Sequence, residues 1–159
     1  MGYYEMANLQ IALLLVFVVI AVLFILTQQN TLKAVKPANR LMQPGMVWLQ
    51  LIPLFGQIWQ FIVVSRIAGS LGKERTSFQE DSILGLADYT AAEQIGERPT
   101  YGIGLAYCVL EVIDVLMSTA WAHLLPTVQG LVGLAMMICW VIYWVRLAAA
   151  KKKIVRLAV

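Results

Sequence analysis

Charged residues are scarce in this sequence, and their scarcity excludes a soluble globular domain. Lys, Arg, Asp and Glu make up 13% of the 159 residues, against about 25% in soluble domains. Hydrophobic residues reach 60%, and the mean hydropathy is +0.76. We therefore predict an all-α integral membrane protein that forms one membrane domain over residues 1–159.

Motifs for catalysis, metal binding and nucleic-acid binding are also lacking. The sequence has one histidine, His123, and its two cysteines, Cys108 and Cys139, lie inside apolar runs without a CxxC pair. It contains no HExxH, phosphate-binding loop, GxSxG or DDxxD-type cluster. We therefore expect no enzymatic activity, no metal and no cofactor. Because the basic residues flank apolar runs, they indicate orientation in a membrane and no nucleic-acid partner.

Four apolar runs are long enough to be embedded in a bilayer, where a spanning helix needs about 17–25 residues. The sequence predicts spanning helices near residues 8–27, 101–125 and 128–149, a membrane-embedded segment near 46–68, a polar cytoplasmic loop over 69–100 and a basic tail over 150–159. No basic residue precedes Lys33 and no A-x-A pattern follows the first run, so that run is expected to be a retained anchor. Pro126 and Gly130 leave a short turn between the last two helices, which predicts an antiparallel hairpin.

The second apolar run differs from the others because it contains three glutamines and has Pro53 and Gly56 at its centre. Proline removes a backbone donor and glycine tolerates a turn, so this pattern predicts a break. Two arrangements remain open. The chain has either three spanning helices with a broken, re-entrant segment, or four spanning helices of which the second is bent.

The distribution of basic residues favours the re-entrant arrangement. With four spans, Lys33, Lys36 and Arg40 would lie on the side opposite the other nine of the twelve Lys and Arg residues. With a re-entrant segment, all twelve lie on one side, which the positive-inside rule assigns to the cytoplasm. The C-terminus is then cytoplasmic. Non-helical backbone is tolerated at membrane depth only where other helices cover it, which three spanning helices can do.

Two acidic residues, Glu111 and Asp114, lie one helical turn apart in the apolar run 101–125. A charged Asp at the centre of a spanning helix costs about 2.5–3.5 kcal/mol on insertion scales, so such residues face a protein interior or a water-filled cavity. Tyr107 lies one helical turn before Glu111 and Ser118 one turn after Asp114, so the four residues form a polar stripe along one side of the helix. The sequence therefore predicts a polar intramembrane site at these four residues.

We expect this polar site to approach the break in the second apolar run. Half-helices that end at Pro53 and Gly56 would carry unpaired backbone groups at the depth of the two acids. Transporters use such helix ends to hold ions and substrates. Gln57 and Gln60, just after the break, are the predicted hydrogen-bond partners of the acids.

Three uses of the acidic pair remain open: structural pairing between helices, binding of a proton or cation that crosses the membrane, and enzymatic action on a lipid. We favour the first, in which the protein is a structural or accessory subunit that packs with itself or with a larger complex in the lipid bilayer. The alternative is a proton- or cation-coupled carrier or channel. Lys151, Lys152 and Lys153 are a candidate site for anionic lipid.

The segment from residue 39 to residue 74 resembles a known group of small membrane proteins. The residues that carry the pattern are Pro44-Gly45, Trp48-Leu49, Leu51 to Phe55, Trp59, Ile67-Ala68 and Ser70-Leu71, with a second stretch at Arg98-Pro99-Thr100 and Gly102-Ile103-Gly104. Here the sequence is similar to uncharacterised bacterial membrane proteins, often from Bacteroidetes, that contain a domain of unknown function. The resemblance implies location in the bacterial inner membrane and implies no activity.

Overall fold

The computed structural model describes residues 3–83, 98, 100–120 and 126–157, and the regular structure in this part of the chain is helical. It contains four α-helices: α1 (Tyr3–Ala34), α2 (Phe55–Ile83), α3 (Tyr101–Ala120) and α4 (Pro126–Leu157). Two 3-10 helices, Pro37–Asn39 and Pro44–Leu51, lie between α1 and α2. The prediction of an all-α chain is confirmed for the described residues.

Three of the helices are long and apolar enough to cross a membrane. The apolar stretches are Glu5–Ala34 in α1, Tyr101–Thr119 in α3 and Thr127–Arg156 in α4. Large apolar side chains are exposed along these helices, for example Leu14 and Leu131. Exposed apolar surface on this scale suits lipid rather than water, so the chain is described as a membrane protein.

α1 continues about two turns past the predicted end of the first span. These turns contain Gln28 and Thr31, whose side chains are fully buried. The polar residues therefore mark a packing surface rather than the end of the helix. Beyond the last turn, the Arg40 guanidinium donates to the carbonyls of Lys33 and Val35, at 2.9 and 2.8 Å, and so caps α1.

The other helices also differ in length from the predicted segments. α2 continues to Ile83, so the first half of the predicted polar loop is helical. The part of that loop from 84 to 97 lies outside the described residues, as does the stretch 121–125 at the end of the third predicted span. α4 extends to Leu157 and includes most of the predicted basic tail.

The chain between α1 and α2 folds back on itself as a hairpin, defined here as residues 44–60. Its first arm is the second 3-10 helix, and its second arm is the start of α2. The arms touch where a Cβ added to Gly56 would lie 2.8 Å from the carbonyl carbon of Gln50. Away from the tip, the Trp59 indole donates to the Met46 carbonyl at 2.8 Å. The predicted break is therefore a reversal of chain direction.

The two flanks of the hairpin are joined by hydrogen bonds. The side-chain amide of Asn39 donates to Glu74 Oε2 at 2.6 Å, and the backbone N–H of Leu41 donates to Ser70 Oγ at 2.9 Å. Glu74 is only 1% exposed. The chain therefore leaves the end of α1, turns at the hairpin tip and returns along α2 until it again lies beside residues 39–41.

The helices pack around an aromatic cluster centred on Phe24 of α1. The centroid of its ring lies 5.3 Å from that of Trp140, 5.7 Å from that of Trp144 and 6.3 Å from that of Tyr107. Trp144 Nε1 also donates to Thr27 Oγ1 at 2.9 Å. Because residue numbers rise together along this contact, α1 and α4 run parallel.

α3 packs between α2 and α4 and runs antiparallel to α4. A Cβ added to Gly104 would lie 2.6 Å from Val64 Cγ1 and 2.8 Å from Tyr143 Cε2. Further along α3, a Cβ added to Gly133 would lie 3.5 Å from Asp114 Oδ1. Residue numbers run in opposite directions in these two contacts, as expected for the predicted antiparallel pair.

These contacts bring the ends of α1 and α4, the middle of α2 and the start of α3 to one end of the molecule, which we call the basic end. The basic residues at or near it are Lys33, Lys36, Arg40, Arg66, Lys73, Arg75, Arg98, Arg146, Lys151, Lys152, Lys153 and Arg156. These are all twelve Lys and Arg residues of the chain. The opposite end is formed by the starts of α1 and α4.

Candidate functional site

A cavity of about 330 Å³ lies between α1, the hairpin, α3 and α4, and we call it the Glu111 cavity. It is lined by Phe17, Ala21, Phe24, Ile25, Gln50, Leu51, Gln60, Tyr107, Glu111, Met136, Met137 and Trp140. Most of these side chains are apolar or aromatic. The polar ones come from the hairpin and from α3, so the cavity has one polar wall.

The polar wall joins α2 to α3. The Tyr107 hydroxyl donates to Gln60 Oε1 at 3.0 Å, and both side chains are buried. Glu111 follows Tyr107 by one helical turn on the same face of α3. The structure thus brings together three of the predicted site residues, and the link between Gln60 and α3 is made by the phenol.

Two buried atoms in this wall have no hydrogen-bond partner among the residues that the structure describes. They are Glu111 Oε2 and Gln60 Nε2. A buried polar group without a partner costs about 1–3 kcal/mol, and the hydrocarbon core of a bilayer offers no water to replace the partner. The wall therefore presents Glu111 Oε2 as an acceptor and Gln60 Nε2 as a donor, and the Tyr107 hydroxyl also lies within reach of the Glu111 carboxylate.

A second polar contact extends the wall towards α1. Gln50 Nε2 donates to Gln28 Oε1 at 2.6 Å, and Trp48 Nε1 donates to Gln29 Oε1 at 3.2 Å. Gln28 is fully buried, and its side chain lies beside the Tyr143 hydroxyl. Sequence reasoning missed Gln28 and Gln29 because they follow the apolar run. The sequence did contain a signal for this contact. Two glutamines end the first apolar run and three more lie in the second, and such side chains can pair with one another.

Asp114 does not line the cavity. Its carboxylate packs against α4 beside Gly133, where an added Cβ would lie 3.5 Å from Oδ1. Glu111, one turn earlier, is part of the cavity lining. The two predicted carboxylates therefore have different neighbours.

The other predicted site residues lie outside the cavity. Ser118 is exposed, and its hydroxyl donates to a carbonyl of its own helix at 2.8 Å. Gln57 is half-buried on the second arm, Pro53 is exposed at the hairpin tip, and Gly56 is buried where the arms touch. The cavity does reach the break, because Leu51 at the end of the first arm belongs to its lining.

The rim of the cavity is apolar and exposed. Phe17 on α1 is 65% exposed, and Leu51 and Met137 are also exposed. These side chains belong to, or lie beside, the long apolar stretches of α1 and α4. The cavity therefore opens towards the surface that the hydrocarbon core would cover.

The most deeply buried carboxylate in the described part of the chain is elsewhere. Glu74 Oε2 accepts hydrogen bonds from the Lys36 backbone N–H at 3.1 Å and from the Asn39 side chain at 2.6 Å. The sequence analysis placed Glu74 in the polar cytoplasmic loop over 69–100. Its spacing of four residues from Ser70 and from Phe78, both buried, is the helical signal that would have placed it inside.

The described residues contain no group of three or more side chains arranged to hold a metal ion. A carboxylate, a phenol and two amides around an apolar space suit a ligand held by hydrogen bonds. Comparison of the chain with protein-family models, with curated proteins and with solved structures finds no match in any of the three, so the geometry of the Glu111 cavity carries the functional argument.

Proposed function

We propose that this chain is a non-enzymatic, multi-pass membrane protein that binds a small amphiphilic molecule in the Glu111 cavity. The observation that best supports this function is the presence of two unpartnered buried atoms, Glu111 Oε2 and Gln60 Nε2, in the wall of an otherwise apolar cavity. A ligand with a polar head and an apolar body matches both parts of the lining.

The head of the ligand both donates and accepts a hydrogen bond. Glu111 offers an acceptor, and the side-chain amide of Gln60 offers a donor. A hydroxyl or carboxamide head satisfies both, whereas an alkane satisfies neither. The body of the ligand lies against Met136 and Trp140, where it gains apolar contact.

The ligand reaches the cavity from the bilayer. The exposed rim residues Phe17, Leu51 and Met137 are all apolar, and among the described residues Glu111 is the one charged side chain in the lining. A molecule dissolved in hydrocarbon passes this rim without leaving an apolar environment. A hydrated ion would have to shed its water to take the same route.

A matched pair of brominated probes tests this function. The protein is placed in phosphatidylcholine nanodiscs and titrated with 11-bromo-1-undecanol or with 1-bromoundecane, and quenching of tryptophan fluorescence is followed. We expect saturable quenching by the alcohol, because Trp140 lines the cavity, and only linear quenching by the alkane. Equal curves for the two probes would overturn the proposal.

Two acidic substitutions provide the matched control. Glu111→Leu removes the acceptor and is expected to abolish the saturable part of the quenching. Asp114→Asn changes an acid one turn away that packs against α4 instead of lining the cavity, and is expected to leave the curve unchanged. Loss of saturation in both variants would show that the effect is not local to the cavity.

Ion coupling is the second candidate function, and the unpartnered oxygen of Glu111 is the observation that favours it. A proton or a monovalent cation at this oxygen would neutralise the buried carboxylate. The test is ion flux into liposomes that contain the purified protein. Flux that is lost in Glu111→Gln supports a carrier or channel, and the absence of flux in the unsubstituted protein rejects one.

We also propose that the hairpin enters and leaves the bilayer from one face, giving three spanning helices and a re-entrant segment. The hydrogen bond from Asn39 to Glu74 supports this, because a helix that crossed the membrane would separate its ends by about 30 Å. The tip of the hairpin also supports this topology. Leu54 is 81% exposed and has a φ of 63°. A leucine in this left-handed conformation costs roughly 1–2 kcal/mol, and an apolar surrounding is what favours leucine over asparagine or glycine there.

With this topology, all twelve basic residues face the cytoplasm, and so does the C-terminus. The resemblance of residues 39–74 supports the bacterial inner membrane as the location. Cysteines introduced at Gln43 and Lys73, both exposed, test the arrangement in a background without Cys108 and Cys139. A membrane-impermeant maleimide should label both from the same side, and labelling from opposite sides would establish four spans.

A further inference from the structure

A groove lined by basic and apolar side chains runs along α2 at the basic end of the molecule. It consists of two adjoining cavities of about 550 Å³ each, which share Leu41, Gly69 and Arg98. Its lining includes Phe61, Ile62, Ser65, Arg66, Gly72, Lys73, Arg75, Thr76 and Tyr101. We call it the basic groove. It is separate from the Glu111 cavity, since the two have no described lining residue in common.

The basic groove has a charged part and an apolar part. Arg66, Lys73 and Arg98 are exposed and line the charged part. Phe61 and Ile62 line the apolar part, one helical turn from Arg66 and therefore about 6 Å further along α2 towards the hairpin tip. Cations at one end and apolar side chains at the other match a molecule with an anionic head and a hydrocarbon chain.

The described lining of the groove contains no carboxylate to neutralise these cations. Glu74, the nearest acid on α2, is buried and accepts hydrogen bonds from Lys36 and Asn39 on the other side of the helix. The Arg98 guanidinium lies 5.9 Å from the centre of the Tyr101 ring, which orients it along the groove wall without neutralising its charge.

We propose that the basic groove binds the head group of an anionic phospholipid. Its phosphate is held between Arg66 and Arg98, because the planar guanidinium forms paired hydrogen bonds with phosphate oxygens. Lys73 adds a third positive charge, and one acyl chain lies against Phe61 and Ile62. Basic pockets between helices on the cytoplasmic side of a membrane are a known way of holding such head groups.

The apolar part of the groove distinguishes a phospholipid from free phosphate. Inorganic phosphate would use the arginines and gain nothing from Phe61 and Ile62. Two arginines of α4 differ from those of the groove, because Arg146 and Arg156 are exposed and line neither part of the groove. Their charges serve as the control for general attraction to an anionic surface.

The test uses the full chain, delipidated in dodecyl maltoside, with thermal unfolding followed as lipid is added. Phosphatidylglycerol should raise the melting temperature in a saturable way, whereas phosphatidylcholine and inorganic phosphate should not. Arg66→Gln with Arg98→Gln should weaken the effect of phosphatidylglycerol about tenfold or more, since each charge at a membrane surface contributes appreciably to anionic-lipid binding. Arg146→Gln with Arg156→Gln removes the same number of charges from exposed positions of α4 outside the groove and should leave the effect in place.

Each other outcome overturns the assignment. Equal shifts with both phospholipids would mean no preference for the anionic head, and a shift with phosphate alone would mean a site for the free anion. An equal loss in the two double variants would mean general attraction. Native mass spectrometry of the unsubstituted protein gives a second measurement if the arginine variant does not fold. Phosphatidylglycerol should then remain bound under conditions that remove phosphatidylcholine, and equal retention would reject the site.

Discussion

Gly104 lies in contact with two other helices, and a side chain at this position would collide with both. An added Cβ would fall 2.6 Å from Val64 and 2.8 Å from the Tyr143 ring, and both of those residues are buried. Gly104→Ala should therefore destabilise the protein by about 1–3 kcal/mol, the usual cost of overpacking. Unfolding in mixed micelles with increasing dodecyl sulfate, followed by tryptophan fluorescence, measures the loss.

Gly102→Ala is the control for this substitution, because none of the described residues lies within 4 Å of a Cβ at Gly102. There the gain in helix propensity is about 0.5–1 kcal/mol without a collision. We expect this variant to be at least as stable as the unsubstituted protein. If the two alanine variants unfold alike, the close contact of α3 with α2 and α4 is wrong.

Glu74 accepts two hydrogen bonds inside the protein, from the Lys36 backbone and from the Asn39 side chain. Glu74→Leu should cost about 2–4 kcal/mol, because it leaves two partly buried donors without their acceptor. Asn39→Ala removes only one of these bonds and should cost less. The same unfolding measurement ranks the two variants, and a larger loss for Asn39→Ala would contradict this account of Glu74.

At this scale, the sequence predicted some residue environments well and others poorly. Helical spacing and the rarity of intramembrane acids were enough to single out Glu111 and Tyr107, both of which line the cavity. Spacing alone did not separate Glu111 from Asp114, since a difference of about 60° around a helix decides which neighbour each one meets. That decision depends on where α4 lies, which no local pattern contains.

The hairpin is the element whose form was hardest to predict. Proline, glycine and the distribution of basic residues indicated a break and a return to the same side. The 3-10 geometry of the first arm was not indicated, because 3-10 and α-helices differ little in local sequence pattern. The helices were also predicted too short, because the sequence pattern at their ends was misread. Buried polar residues, such as Gln28, look like the end of an apolar run when their partners are unknown.

Gly56 is expected to be the least replaceable residue of the hairpin. A Cβ there would meet the backbone carbonyl of Gln50, which cannot rotate away as a side chain can. Gly56→Ala should therefore force the arms apart and cost more than Gly104→Ala. The hydrogen bond from Trp59 to the Met46 carbonyl would be lost. The expected readout is lower stability together with faster amide exchange in residues 44–60.

Gly45→Ala is the matched control, since Gly45 lies in the same hairpin and a Cβ there meets no atom of the described residues within 4 Å. It should leave both the stability and the exchange rates close to those of the unsubstituted protein. If amide exchange in residues 44–60 of Gly56→Ala is as slow as in the unsubstituted protein, the two arms do not touch as described.

At the scale of the whole molecule, composition and apolar run length predicted the membrane class and three helices capable of spanning. Assembly with other chains stays a prediction. We expect chemical crosslinking in mild detergent to give species larger than the monomer of 17.7 kDa. If light scattering after chromatography shows only monomer and no partner is recovered by affinity purification, the accessory-subunit expectation fails. The proposed binding of an amphiphilic ligand would not depend on that result, because the Glu111 cavity is formed within one chain.

The long sequence separation of the interior contacts has a consequence for how the chain is made. Gln60 pairs with Tyr107, 47 residues later, and Thr27 pairs with Trp144, 117 residues later. When the hairpin emerges from the ribosome, the helices that cover it have not been synthesised. Hydrocarbon does not accept an uncovered 3-10 helix with unsatisfied amides. If the hairpin is re-entrant as proposed, we therefore expect it to stay at the membrane surface while α3 and α4 are inserted, and to be buried only afterwards.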